Sequence, residues 1–209
     1  MRNPLIRIGA GAALLLAAGA AHAACDGATV LFADNFDRLE PSWGEASDAF
    51  KVDNGQLLVT PAADQYFWQP SAASLYDDID MCASVTTILG VVPEDAKAGL
   101  IFWYVDVNNF YVFEIAPNGK ASVWRRQRGK WLAQVNWQDA SGANKGDGAV
   151  NELRVTTVAG DATFYVNGTE FQKVSGSPPD NGQQIGLFAG SPEKDAATFA
   201  FDDLKATKP

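Results

Sequence analysis

The chain has 209 residues, with 16 basic side chains against 25 acidic ones, a formal net charge of −9 and one histidine. That acidity argues against nucleic acid and anionic membrane surfaces as partners. The histidine, His22, sits in a leader-like segment, and its removal excludes histidine-based catalysis and histidine-held zinc.

Arg2 and Arg7 precede an apolar run over residues 8–21, and Ala21-His22-Ala23 fits the small-x-small cleavage rule. The pattern predicts a signal peptide over residues 1–23 and a single mature domain over 24–209. The protein is then secreted or periplasmic, with no membrane insertion after signal cleavage. Cys25 and Cys82 are the only cysteines, and in an oxidising compartment they most simply pair as a disulfide. Closing that loop contributes roughly 4 kcal/mol in the chain-entropy picture.

Strand-type patterns run from end to end, with no convincing amphipathic helix. In chain order the predicted strands cover residues 30–36, 50–52, 56–60, 66–69, 79–88, 98–104, 110–115, 120–127, 130–137, 151–158, 161–166, 169–175, 184–189 and 198–206. Asn54-Gly55, Asn118-Gly119, Arg128-Gly129, Ala159-Gly160 and Asn167-Gly168 separate neighbours in the manner of tight hairpins. Short strands at this spacing predict an all-β fold, an antiparallel two-sheet sandwich of jelly-roll type.

The order of several motifs carries a resemblance. They are Asp34-Asn35-Phe36, Trp43, Asp53-Asn54-Gly55-Gln56-Leu57, Gly99-Leu100-Ile101-Phe102 and Asn109-Phe110-Tyr111-Val112-Phe113-Glu114-Ile115. Gly129-Lys130-Trp131, Asn151-Glu152-Leu153-Arg154-Val155, Tyr165-Val166-Asn167-Gly168, Ile185-Gly186-Leu187 and Phe201-Asp202-Asp203 continue the order. The series resembles concanavalin A-like lectin/glucanase domains. It looks most like the laminin G-like branch and the bacterial domains named after 3-keto-disaccharide hydrolase. Most of the matched residues suit core or turn positions, so the resemblance implies a fold more than an activity.

Alternation then sorts side chains between the two faces of each strand. Leu100, Phe102 and Tyr104 share one face of their strand, with Ile101 and Trp103 on the other. Tyr111, Phe113 and Ile115 are set against Phe110, Val112 and Glu114, and Val123 against Trp124 and Arg126. With the more apolar sets between the sheets, Trp103, Glu114, Trp124 and Arg126 line one outer, concave groove. Indoles stack on sugar rings, while a carboxylate and a guanidinium hydrogen-bond hydroxyls or a uronic carboxylate. The alternative is that both indoles pack beneath a loop and Glu114 and Arg126 form an ordinary cross-strand pair. Trp43, Tyr66, Trp68, Trp131 and Trp137 read as core or rim.

For catalysis, a glycosidase needs two facing carboxylates. The Glu-x-Asp-x-x-Glu run of the related glucanases is absent, and Glu114 is the one carboxylate central on the proposed face, with Asp106 or Asp139 as possible loop partners. The enzyme question therefore stays open, leaning against. The resemblance also implies a possible structural calcium ion, with Asp34, Asp37, Asp202 and Asp203 as oxygen ligands. The functional expectation is non-covalent recognition of an oligo- or polysaccharide. The rivals are a glycoside hydrolase using Glu114 and a laminin G-like protein-interaction module.

Overall fold

The computed structural model describes Cys25, residues 27–88 and residues 95–209. The expected signal peptide lies outside these residues. Among them, fourteen strands form, with ends within two residues of those predicted. They are β1 (Val30–Asp34), β2 (Phe50–Asp53), β3 (Gln56–Val59), β4 (Tyr66–Pro70), β5 (Asp80–Ile88), β6 (Lys97–Asp106) and β7 (Asn109–Ile115). The second half holds β8 (Lys120–Gln127), β9 (Lys130–Asp139), β10 (Val150–Val158), β11 (Asp161–Val166), β12 (Thr169–Ser175), β13 (Gln184–Gly190) and β14 (Thr198–Thr207). One short 3-10 turn, Pro41–Trp43, is the helical element, and proline at its first position supplies the fixed φ such a turn needs.

Two antiparallel sheets result. The eight-stranded sheet runs β12–β11–β10–β5–β14–β3–β2, with β1 also paired to β14. The six-stranded sheet runs β4–β13–β6–β7–β8–β9. Tight turns set several registers. Asn54-Gly55, Arg128-Gly129, Ala159-Gly160 and Asn167-Gly168 all have positive φ at both positions, the twist that a two-residue hairpin demands. The strand alternation buries Phe102, Phe113, Phe164, Phe199 and Phe201 between the sheets in one core. Rings touch across the two layers, with Phe113 and Phe164 centroids 5.0 Å apart and Phe102 and Phe164 5.5 Å apart.

The expected disulfide is present. Cys25 bonds Cys82 across 57 positions, with Cα atoms 5.8 Å apart, and ties the N-terminal arm to β5. On the same sheet Asp80 is buried and forms a fork with Arg154, at 2.7 and 2.8 Å. The pair compensates a carboxylate that burial would otherwise penalise.

Asp34 closes one corner of the sandwich. Its Oδ1 accepts the Phe36 amide N–H at 2.8 Å, and its Oδ2 accepts the Trp43 indole N–H at 2.8 Å. Trp43 and Phe36 are both fully buried there, and Phe36 is held at a φ of 52°. The carboxylate therefore satisfies two buried donors, one of them in a backbone conformation that needs support. An Asp34→Ala change strands both donors, so urea denaturation should show a loss of about 2–4 kcal/mol. A loss below about 0.5 kcal/mol, within the scatter of surface substitutions, would show that the corner does not depend on this carboxylate.

Candidate functional site

The outer face of the six-stranded sheet carries the site. Its cross-strand pairing builds three neighbouring rows. One runs Trp68–Phe188–Gly99–Glu114–Ser122 across β4, β13, β6, β7 and β8. The next runs Pro70–Gly186–Ile101–Val112–Trp124–Ala133. A third holds Phe110–Arg126–Trp131. Ile101, Tyr104, Phe110, Val112 and Phe188 form the buried floor, and Trp68, Trp124 and Trp131 pack on it.

The sheet is strongly curved toward this face. Tyr66 on β4 and Trp131 on β9 belong to opposite edges, yet their ring centroids are 6.0 Å apart. Trp131 also meets Phe188 at 6.0 Å and Phe110 at 5.5 Å, edge to face. A flat six-stranded sheet would hold its edge strands some 24 Å apart, taking roughly 4.8 Å per strand step. Beneath these rings lies a depression of about 190 Å³ lined by Tyr66, Lys97, Val112, Glu114, Trp124, Trp131, Trp137 and Phe188. It is smaller than the roughly 300–1,000 Å³ of drug-sized pockets and suits one sugar ring.

Of the expected groove residues, Glu114, Trp124 and Arg126 stand on this face, and Trp103 does not. Alternation fails at Trp103 because β6 carries an extra residue there relative to β13, and the pairing shifts between Phe102 and Asp106. Trp103 has a φ of 46° and turns into the core against Phe102 and Tyr111. The buried Gln183 side chain holds the bulge by accepting the Trp103 amide N–H at 2.7 Å. Gly176 covers the ring so closely that a Cβ there would collide with it. Tyr104, expected inside, is shifted to the outer floor in exchange. The expected cross-strand alternative fails too, since Glu114 pairs with Ser122 and Arg126 with Phe110.

Four aromatics on this face had read as core or rim: Tyr66, Trp68, Trp131 and Trp137. For Trp131 the signal was present, because counting back from the Arg128-Gly129 turn places it opposite Arg126. Trp137 could not be counted so, since two irregularities interrupt the β8–β9 pairing before it. Arg125, whose parity points inward, escapes at the sandwich end by laying its guanidinium 5.0 Å from the Tyr111 ring centre.

Glu114 is the chemically unusual group. Only 3% of it is exposed, and Gly99 opposite it contributes no side chain. The Trp124 indole N–H donates to Ser122 Oγ at 3.0 Å, and Ser122 Oγ–H donates to Glu114 Oε1 at 2.9 Å. An indole can only donate, so the direction of the Trp124 end of this relay is fixed. Burial pushes the carboxyl up to about 7, against weaker downward pulls from the Lys97 ammonium and the Ser122 hydrogen bond. Lys97 lies beside Gly190 with its ammonium 5.2 Å from the Tyr66 ring centre.

Arg126 completes the face. Its guanidinium carbon lies 5.0 Å from the Trp68 ring centre and 5.3 Å from that of Trp131, between the two indoles. Its Nε is covered and has no hydrogen-bond partner.

The calcium expectation does not fit. Among the described residues no three acidic, cysteine or histidine groups are placed to hold a metal ion. Both oxygens of Asp34 serve Phe36 and Trp43. Asp37 accepts from Asn35, and Asp202 accepts from the Asp203 amide. Partial burial raises Asp202, with the nearby Asp203 and Asp37 charges adding to it. A larger hollow of about 500 Å³ lies on the other sheet, around Asn35, Ser84, Glu152 and Lys205, and no aromatic ring lines it. It offers no stacking platform.

The buried carboxyl has a measurable signature. Glu114 binds its proton more tightly in the folded chain than in the unfolded one. The stability this contributes is fully present below the ordinary carboxylate range and is lost as pH rises through about 7. Between pH 5 and 8 the wild type should lose about 2 kcal/mol relative to Glu114→Gln, read by denaturant unfolding at each pH. Parallel profiles for the two proteins would mean that Glu114 stays ionised.

No family model matches the sequence, and no curated protein matches it. Solved structures do. The chain is similar to carbohydrate-binding module CBM66 from Bacillus subtilis, at 14% identity over 73% of this chain and 86% of that one, with a TM-score of 0.58. It is also similar to a Bacillus licheniformis β-glucanase, at 11% identity, 85% and 98% coverage and a TM-score of 0.63. The Emp47p carbohydrate recognition domain matches at 12% identity, 83% and 91% coverage and a TM-score of 0.59. At these identities the likeness is one of fold. The chain is an antiparallel two-sheet sandwich with the fold of these neighbours, the fold that its motif order implied.

Proposed function

We propose that this protein binds a saccharide non-covalently on the outer face of its six-stranded sheet. The observation that carries the reading is the curved aromatic cradle. Tyr66, Trp131 and Trp137 surround a depression sized for one ring, and Trp68 and Arg126 extend it. Flat π-faces pack on the C–H faces of pyranose rings, and the few polar groups among them orient hydroxyls. Neighbours described as a carbohydrate-binding module and a carbohydrate recognition domain support the same reading. Secretion is part of the proposal. The Cys25–Cys82 disulfide suits an oxidising compartment, and the leader pattern supplies a route there.

One observation favours a second reading, hydrolysis. A carboxyl titrating near 7 in a hydrophobic depression has the tuning of a general acid. Against it, Glu114 is the single carboxyl lining the depression, and a retaining mechanism needs a second one about 5 Å away. Reducing-end release from an oligosaccharide panel, abolished by Glu114→Gln, would favour hydrolysis over binding alone.

Titration calorimetry against neutral and acidic oligosaccharides tests the main reading. Trp131→Ala and Trp137→Ala should each weaken binding about tenfold, the scale of one lost aromatic contact. Trp137→Ala should leave the thermal midpoint nearly unchanged, while Trp131→Ala, which also loses its packing on Tyr66, Phe110 and Phe188, should lower it. Failure of every glycan to give heat, or full affinity in both variants, would end it.

A further inference from the structure

Resting on the saccharide reading above, we propose that the ligand is acidic, a chain bearing uronate carboxylates, and that Arg126 is the residue that recognises them. Two arginines in this protein make the case by contrast. Arg154, on the eight-stranded sheet, stacks on Tyr165 at 5.2 Å and is matched by the two-pronged Asp80 carboxylate. Arg126 has the stacking half of that arrangement twice over, from Trp68 and Trp131, but no carboxylate. Among the described residues nothing accepts a hydrogen bond from its guanidinium, and its Nε is covered besides. A covered donor without a partner is destabilising. A planar fork clamped between two indoles is already oriented, so a planar carboxylate can dock on its free terminal nitrogens with little further ordering.

The charge pattern points the same way. The chain carries a net charge of −9, yet residues 120–139 hold Lys120, Arg125, Arg126, Arg128 and Lys130 against one acid, Asp139, which stands opposite Lys120. That segment forms the β8–β9 hairpin, which borders the aromatic face. A basic ribbon on an otherwise acidic protein focuses attraction for an anion at one place. Lys97 puts a second cation in the lining of the depression, within electrostatic reach of Glu114. Glu114, the one acid lining the depression among the described residues, is shifted by burial toward its neutral form, which lessens its repulsion of an incoming carboxylate. A neutral sugar's hydroxyls can accept from Arg126 but leave its charge unmatched.

The test uses titration calorimetry with the mature protein and matched probes: oligogalacturonate and oligomannuronate, their fully methyl-esterified forms, and a sulfated galactan oligomer. The free uronates should bind about tenfold or more tighter than their esters, and the preference should shrink with added salt. Arg126→Lys keeps the charge but loses the fork and most of the stacking. It should cost about tenfold for uronates and little for esters. Lys97→Met gives an independent variant and should weaken uronate binding at low salt. Equal affinity for acid and ester would overturn the inference while leaving saccharide binding intact. Tighter binding of the sulfated oligomer than of either uronate would overturn the assignment to carboxylates, as would an unchanged Arg126→Lys. Binding of no probe would defeat both readings together.

Discussion

Curvature of the six-stranded sheet underlies every feature of the proposed site. Because its edge strands curl toward each other, Tyr66 and Trp131 touch across the face, and Arg126 on β8 reaches Trp68 on β4. The same approach roofs Glu114, which on a flat sheet would stand in water with an ordinary carboxylate pKa. Twist and bulges produce such curvature, and the β6, β8 and β9 irregularities fall in this sheet.

Buried charge is met differently at Asp34 and Asp80 than at Glu114 and Arg126. On the eight-stranded sheet Asp80 and Arg154 neutralise each other, and Asp34 is spent on the Phe36 and Trp43 donors. Those carboxylates are internally satisfied and serve the fold. On the six-stranded sheet Glu114 receives one serine hydrogen bond and Arg126 receives none. Polar groups left short of partners on a water-excluding aromatic surface cost stability unless something from outside completes them. The contrast between these groups supports the proposal that the six-stranded face takes the ligand.

Trp103 shows where local pattern reasoning breaks. Strict alternation puts it beside Glu114, but one additional residue in β6 reverses the parity from that point on. The bulge is held by Gln183, 80 positions away, and by space left at Gly176. Neither contact leaves a trace near residue 103. The calcium ligands fail for a related reason. Asp34, Asp37, Asp202 and Asp203 lie near the first and last strands, but both oxygens of Asp34 serve Phe36 and Trp43, and among the described residues no three such groups are placed to hold a metal ion. Trp131, by contrast, was within reach of a simple count from its turn.

Residue order alone determined the all-β class, the strand list, the disulfide and the outward placement of Glu114, Trp124 and Arg126. Each of these follows from short-range rules: period-two alternation, turn residues that accept positive φ, and two cysteines with no other partner. Tertiary structure alone decided that Trp103 belongs to the core, that Tyr66, Trp68, Trp131 and Trp137 join the face, and that Glu114 is buried there. Those outcomes depend on how far the sheet bends and where its pairing slips. Both are set by packing between strands distant in sequence.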